Sequence, residues 1–114
     1  MIQILVKKKC QDSKKAERFF KERRIEIQVR SLEEKPLSDG EWKNVLDHYR
    51  PEELIDENSA AFKKKKMSYM EYDPLEEMQE EPGLIRTPVV RNKGKVTVGY
   101  KPDVWQEWIE SSLL

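Results

Sequence analysis

Leu84-Ile85-Arg86-Thr87-Pro88-Val89-Val90-Arg91-Asn92-Lys93-Gly94-Lys95-Val96-Thr97-Val98-Gly99-Tyr100 decides the reading of this chain. Two β-rich runs, 84–90 and 95–100, flank Asn92-Lys93-Gly94, where the glycine can take the positive φ of a tight turn; the segment reads as a β-hairpin. Pro102-Asp103 then opens a helix whose Val104, Trp105, Trp108 and Ile109 form one apolar stripe able to cover a sheet.

At the other end, Ile2 to Val6 is a short, apolar, β-branched run and reads as a buried strand. Asp12 and Ser13 are helix-capping types, and Ala16, Phe19 and Phe20 fall at helical spacing among Lys and Arg, so a helix is expected over about 11–23. Ile25, Ile27 and Val29 alternate with Glu26, Gln28 and Arg30, the period of a second strand over 25–30. Strand, helix and strand within some 30 residues make two parallel strands with a right-handed crossover. The stretch between the two ends reads helical. Ser38 with Glu41 fits a capping box ahead of Trp42, Val45, Leu46 and Tyr49. Pro51 suits the first turn of a helix carrying Leu54, Ile55 and Phe62. Pro74 opens a short helix with Leu75 and Met78, and Pro82-Gly83 ends it.

The expected fold class is therefore α/β: a four-stranded mixed sheet flanked by helices on both faces. It forms a single domain over 1–114, with a helical insertion at about 38–82 between a β-α-β part and a β-β-α part. The 114 residues suit one domain, and 37% hydrophobic content builds one core. Lys plus Arg equals Asp plus Glu at 22 each, which makes direct nucleic-acid binding an unexpected role. The charge is nevertheless polarised: 7–24 holds nine basic and three acidic residues, and 71–81 holds six acidic residues and no basic one. No apolar run approaches the roughly 20 residues of a membrane span, and Ile2 to Val6 runs into Lys7, Lys8 and Lys9 without a signal-peptide pattern, so a cytoplasmic protein is expected.

Cys10, the one cysteine, is the candidate reactive group. It falls on the loop between the first strand and the first helix, where N–H groups, the helix dipole and Lys7, Lys8, Lys9, Lys14 and Lys15 favour a thiolate; a small buried core thiol is the alternative. Ser13 reads equally as a partner for the sulfur and as a helix cap. His48, among Lys43, Asp47 and Arg50, reads as part of a solvated helix face. One His and one Cys cannot make a soft-ligand zinc site, and Glu76, Glu77, Glu80 and Glu81 lack calcium-loop spacing, so no metal is expected. Lys63 to Lys66 reads as a solvated helix end and the three tryptophans as packing.

The order of elements is that of a thioredoxin-like fold, and the motifs resemble the arsenate reductase (ArsC-like) and Spx family nearly end to end. Cys10-Gln11-Asp12-Ser13 resembles its Cys-x-x-Ser or Cys-x-x-Cys helix opening, and Ile55 to Lys63 its segment in the middle of the insertion. Leu84-Ile85-Arg86-Thr87-Pro88-Val89-Val90 resembles its Leu-Ile-x-x-Pro strand, and Val98-Gly99-Tyr100 its Val-Gly-Phe. The resemblance implies a cis peptide before Pro88 and a nucleophilic role for Cys10. Arsenate reductases surround that cysteine with three arginines, whose positions here fall on Lys63, Thr87 and Lys101, with Arg86 beside the second. Lysine lacks the bidentate fork that suits an oxyanion, so arsenate reduction is expected to be weak or absent. With Ser13 where Spx has a second cysteine, no disulfide forms within the chain. The resemblance implies no bound cofactor, with glutathione, glutaredoxin or another protein thiol completing a redox cycle. The other role it implies is a Spx-like regulatory or protein-interaction module.

Overall fold

A computed structural model of the chain describes residues 1–111; the last three, 112–114, lie outside the described residues. By its contacts the chain divides into two compact units, Leu32–Arg86 and a unit made from Met1–Ser31 together with the chain from Thr87 onward.

The second of these carries the sheet. Strands β1 (Ile2–Val6), β2 (Ile27–Ser31), β3 (Val89–Asn92) and β4 (Lys95–Val98) lie in the order β2-β1-β3-β4. β1 pairs parallel with β2, Ile2 opposite Ile27, and antiparallel with β3, Ile4 opposite Val90; β3 and β4 form the hairpin. The sheet is mixed because the connection through helix α1 (Gln11–Glu22) returns the chain in the same sense, while Lys93 (φ 49) and Gly94 (φ 84) reverse it within two residues. Alternation along β1 sends Ile2 and Ile4 to the face covered by α1 and by α6 (Pro102–Glu110). There they join Ala16, Phe19, Phe20, Val90, Trp105 and Trp108 in one buried cluster. Trp105 is fully buried, and its indole N–H donates to Thr97 Oγ1 at 2.8 Å, so the ring packs with its one polar atom satisfied.

The regular elements of the unit Leu32–Arg86 are all short helices, apart from one isolated bridge. α2 (Asp39–Leu46) opens with the expected capping box: Glu41 N–H donates to Ser38 Oγ at 3.2 Å and Ser38 N–H to Glu41 Oε1 at 2.9 Å. Pro51 begins a single turn, α3 (Pro51–Leu54), and Asp73 caps α5 (Pro74–Glu80).

Several expected boundaries differ, the smallest at β4, which ends at Val98 rather than at 100, where Gly99 turns to φ 86. Ile55 and Phe62 do not continue α3: Ile55 pairs with Ile85 in an isolated antiparallel bridge, and Phe62 sits on a separate helix, α4 (Ala60–Lys64), because Ser59 starts a new cap by accepting from Phe62 N–H. Residues 84–88 are not part of β3. Pro82–Leu84 form one 3-10 turn, Arg86 N–H bonds to Leu54 O at 2.7 Å, and Thr87-Pro88 is a cis peptide. A proline cannot donate to a ladder, so pairing starts only at Val89. β2 begins at Ile27 rather than at 25, because Ile25 N–H is spent on Phe20 O at the end of α1. Val29 is 41% exposed, as suits an edge strand.

Trp105→Ala is expected to lower the unfolding free energy by about 3–5 kcal/mol. Trp105→Phe should cost about 1–2 kcal/mol, chiefly by leaving Thr97 without its donor. Urea titrations followed by far-UV circular dichroism measure both, and equal losses for the two variants would refute the role given to the indole N–H.

Candidate functional site

The site grows from the end of β1. Lys7 to Lys9 carry the chain off the sheet, and Lys9 takes a left-handed φ of 60, a turn that brings Cys10 to the start of α1. Cys10 is the N-cap residue, extended at φ −93 and ψ 113, with its carbonyl accepting from Lys14 N–H at 3.3 Å. Its sulfur makes no cap hydrogen bond to the helix N–H groups and is partly exposed.

What the sulfur meets instead is Thr87. The Thr87 hydroxyl donates to Cys10 Sγ at 3.1 Å, and the thiol donates to Thr87 O at 3.6 Å. The two contacts run in opposite directions. In one the sulfur accepts, in the other it donates. Thr87 is 3% exposed, so the pair is screened from water while the sulfur's other side stays open. The turn is fixed from below by Gly99 N–H, which donates to Pro88 O at 2.9 Å; Gly99 takes φ 86, where a side chain would be strained.

The other residues singled out from sequence are placed as follows. Ser13 is 2% exposed, and its Oγ takes no hydrogen-bond partner among the described residues. It lies on the buried stripe with Ala16 and Phe20, at spacings of three and four, which is why it faces the core rather than the sulfur. Pro88 is buried in the turn beside Thr87. Lys101 is the exposed residue that precedes α6. Arg86 and Lys63 belong to the unit Leu32–Arg86. The Arg86 guanidinium donates to Ile55 O at 3.4 Å, and Lys63 is an exposed residue of α4. The structure thus brings Cys10, Thr87 and Pro88 together. The resemblance implied Thr87 beside Cys10; the donation of its hydroxyl to the sulfur was not read from the sequence, and no local pattern carries it, since 77 residues separate the two. Among the described residues no group of three or more His, Cys, Asp or Glu side chains is gathered to hold a metal, and no helix is long and apolar enough to cross a membrane.

The ArsC family profile matches residues 5–108. The global transcriptional regulator Spx of Enterococcus faecalis is 31% identical over 108 residues, covering 90% of this chain and 82% of the relative. Spx of Bacillus subtilis is 28% identical over 109 residues, with the same coverage of both chains. Among solved structures, an ArsC-family-related protein from Bacteroides fragilis superposes with a TM-score of 0.78 at 21% identity, covering 93% of this chain and 95% of that one. An arsenate reductase from Vibrio cholerae gives 0.74 at 20% identity, with the same coverage of both chains.

Thr87→Val keeps the shape of the side chain and removes only the donor. The rate of Cys10 alkylation by iodoacetamide at pH 7 should fall about fivefold, the worth of one such hydrogen bond, while Thr87→Ser should keep the wild-type rate. Mass spectrometry of timed samples reads both rates. An unchanged rate in Thr87→Val would mean that the hydroxyl does not govern the thiol.

Proposed function

This chain belongs to the ArsC family, and from that premise we propose that it is a thiol-dependent redox protein of the cytoplasm in which Cys10 is the nucleophile and an external thiol completes the cycle. The observation that carries the reading is the partly exposed Cys10 sulfur at the head of α1, with the Thr87 hydroxyl 3.1 Å away. In the proposed cycle the Cys10 thiolate attacks one sulfur of a disulfide, forming a mixed disulfide and releasing the other sulfur as a thiolate. A second thiol then attacks the mixed disulfide and regenerates Cys10. With a peroxide, the thiolate takes one oxygen and the alkoxide or hydroxide leaves. The resulting sulfenic acid condenses with glutathione, and water is lost. Either route needs glutathione, glutaredoxin or another protein thiol, because the chain has one cysteine. No bound cofactor enters either route.

Arsenate is a poor candidate substrate. Thr87 brings a neutral hydroxyl to the sulfur, and Lys63 and Lys101 stand where the family's arginines would be; neither supplies a planar fork to hold an oxyanion. A second reading is favoured by the 31% identity to a transcriptional regulator, together with Ser13 at the second-cysteine position. On this reading the fold serves as a Spx-like regulatory module that docks on a protein partner.

Brief exposure of the native protein to peroxide should convert Cys10 to a sulfenic acid, or to a glutathione mixed disulfide when glutathione is present, as read by intact-mass spectrometry. If Cys10 stays unmodified in the folded protein yet reacts after unfolding, the redox reading falls and the regulatory one stands. Arsenate reduction with glutathione and glutaredoxin should stay near background, any residue of it should vanish in Cys10→Ser, and a robust turnover would contradict the proposal.

A further inference from the structure

Along the outer side of α1 runs an open groove of about 450 Å³, lined by Lys15, Arg18, Phe19, Arg23, Tyr100 and Pro102, with Glu22 on its rim. Every lining residue belongs to the unit that carries the sheet. Three cations face one carboxylate, and two of the cations are held in place. Lys15 Nζ lies 5.7 Å from the centroid of the Tyr100 ring. The Arg23 guanidinium stacks 3.7 Å from the centroid of Phe19, donates from Nη1 to Phe19 O at 3.0 Å and from Nε to Gln106 Oε1 at 3.1 Å. The floor is aromatic: Tyr100 is 38% exposed and braced edge-on against the buried Trp105 at 5.6 Å. Elsewhere on α1, Glu17 pairs with Lys21 at 3.9 Å, so the unbalanced positive charge is concentrated on the groove side.

We propose that this groove docks an extended acidic peptide segment of a partner protein, its carboxylates facing Lys15 and Arg18 and one apolar side chain lying against Tyr100 and Pro102. The spacing suits it. Lys15 to Arg23 spans about 12 Å along the helix axis, the length of three or four extended residues. Lys15, held over the Tyr100 ring, and Arg23, held by Phe19 and Gln106, lose little freedom on binding. The mixed lining argues for a peptide over a nucleic acid: one exposed aromatic ring and a rim carboxylate suit an apolar anchor flanked by acids better than a run of phosphates. The inference is independent of Cys10 chemistry. The two sites share a frame all the same, since α1 starts at Cys10, about 7 Å along its axis from Lys15, and Tyr100 follows the Gly99 that anchors the Pro88 turn.

The test uses the Cys10→Ser protein, so that nothing is trapped covalently, and pans it against a phage-displayed random nonapeptide library. Enriched sequences should be dense in Asp and Glu around one aromatic or aliphatic residue. A fluorescein-labelled synthetic copy of the strongest one should bind saturably by anisotropy. Arg18→Glu and Tyr100→Ala, each checked for folding by its ¹H–¹⁵N spectrum, should each weaken it about tenfold, the scale of a single interface anchor. Lys43→Glu, a charge change in the other unit, should leave it unchanged. Three results would overturn the proposal: no enrichment or enrichment of neutral or basic sequences; equal losses from Arg18→Glu and Lys43→Glu; or binding that tolerates Tyr100→Ala and is displaced by heparin or duplex DNA, which would make the groove a general polyanion surface.

Discussion

The burial of Trp105 against α1 is the constraint from which the rest of the sheet-bearing unit follows. Its ring lies 5.4 Å from Phe19 and 5.2 Å from Phe20, with the two phenylalanines edge-on to each other at 5.1 Å. The three rings belong to the two ends of the chain. To bury them together, α1 and α6 must lie on the same face of the sheet, over Ile2, Ile4 and Val90. Each ring removes a large apolar area from water, and the edge-on contacts add about 0.5–1.5 kcal/mol per pair beyond that. With α1 and α6 fixed, β1 is set between β2 and β3. The loop after β1 is then held against the turn before β3, and Cys10 meets Thr87 as a consequence.

Much of this was legible in the residues themselves. Period-two alternation located β1 and β2, Asn92-Lys93-Gly94 located the hairpin, and the stripe of Val104, Trp105, Trp108 and Ile109 identified α6 as a covering helix. These features are local, so a single sequence displays them. The differences came where a specific hydrogen bond, distant or local, overrode side-chain tendency. Leu84 to Arg86 have strand-forming side chains, but Arg86 N–H and the backbone about Ile85 pair with Leu54 and Ile55 instead of entering the sheet. Ser59 divided what looked like one helix into two, because a serine hydroxyl that accepts from a backbone N–H three residues on starts a helix as effectively as a proline does.

The candidate site was half legible. The position of Cys10 at a strand-to-helix junction follows from Val6 and from the stripe that begins at Ser13. The orientation of Ser13 was also open to reading: spacings of three and seven to Ala16 and Phe20 place it on the core side of α1, though its hydroxyl suggests a cap. That Thr87 lies near Cys10 was implied by the family resemblance alone, and the donation of its hydroxyl to the sulfur was not read, because no local pattern records which atom of a distant turn faces a given side chain. The same holds for Lys15 and Tyr100, which come together only after α1 and the loop before α6 are packed.

What Thr87 does at the sulfur bears on the kind of reaction the site suits. A guanidinium beside a thiolate would bring a full positive charge and several donors, which stabilises the ionised sulfur and an incoming oxyanion together. A threonine brings one dipole through its hydroxyl, and its own carbonyl accepts from the same thiol. The sulfur is positioned by a neutral residue. On the proposed redox reading, such a thiol gains little toward a substrate that carries negative charge into the site, because nothing at the sulfur offsets the repulsion. A disulfide or a peroxide is neutral on arrival and develops charge mainly on its leaving atom, so it asks of the site only an oriented thiolate and an open approach. The Thr87 hydroxyl and the partly exposed face of Cys10 supply those two things.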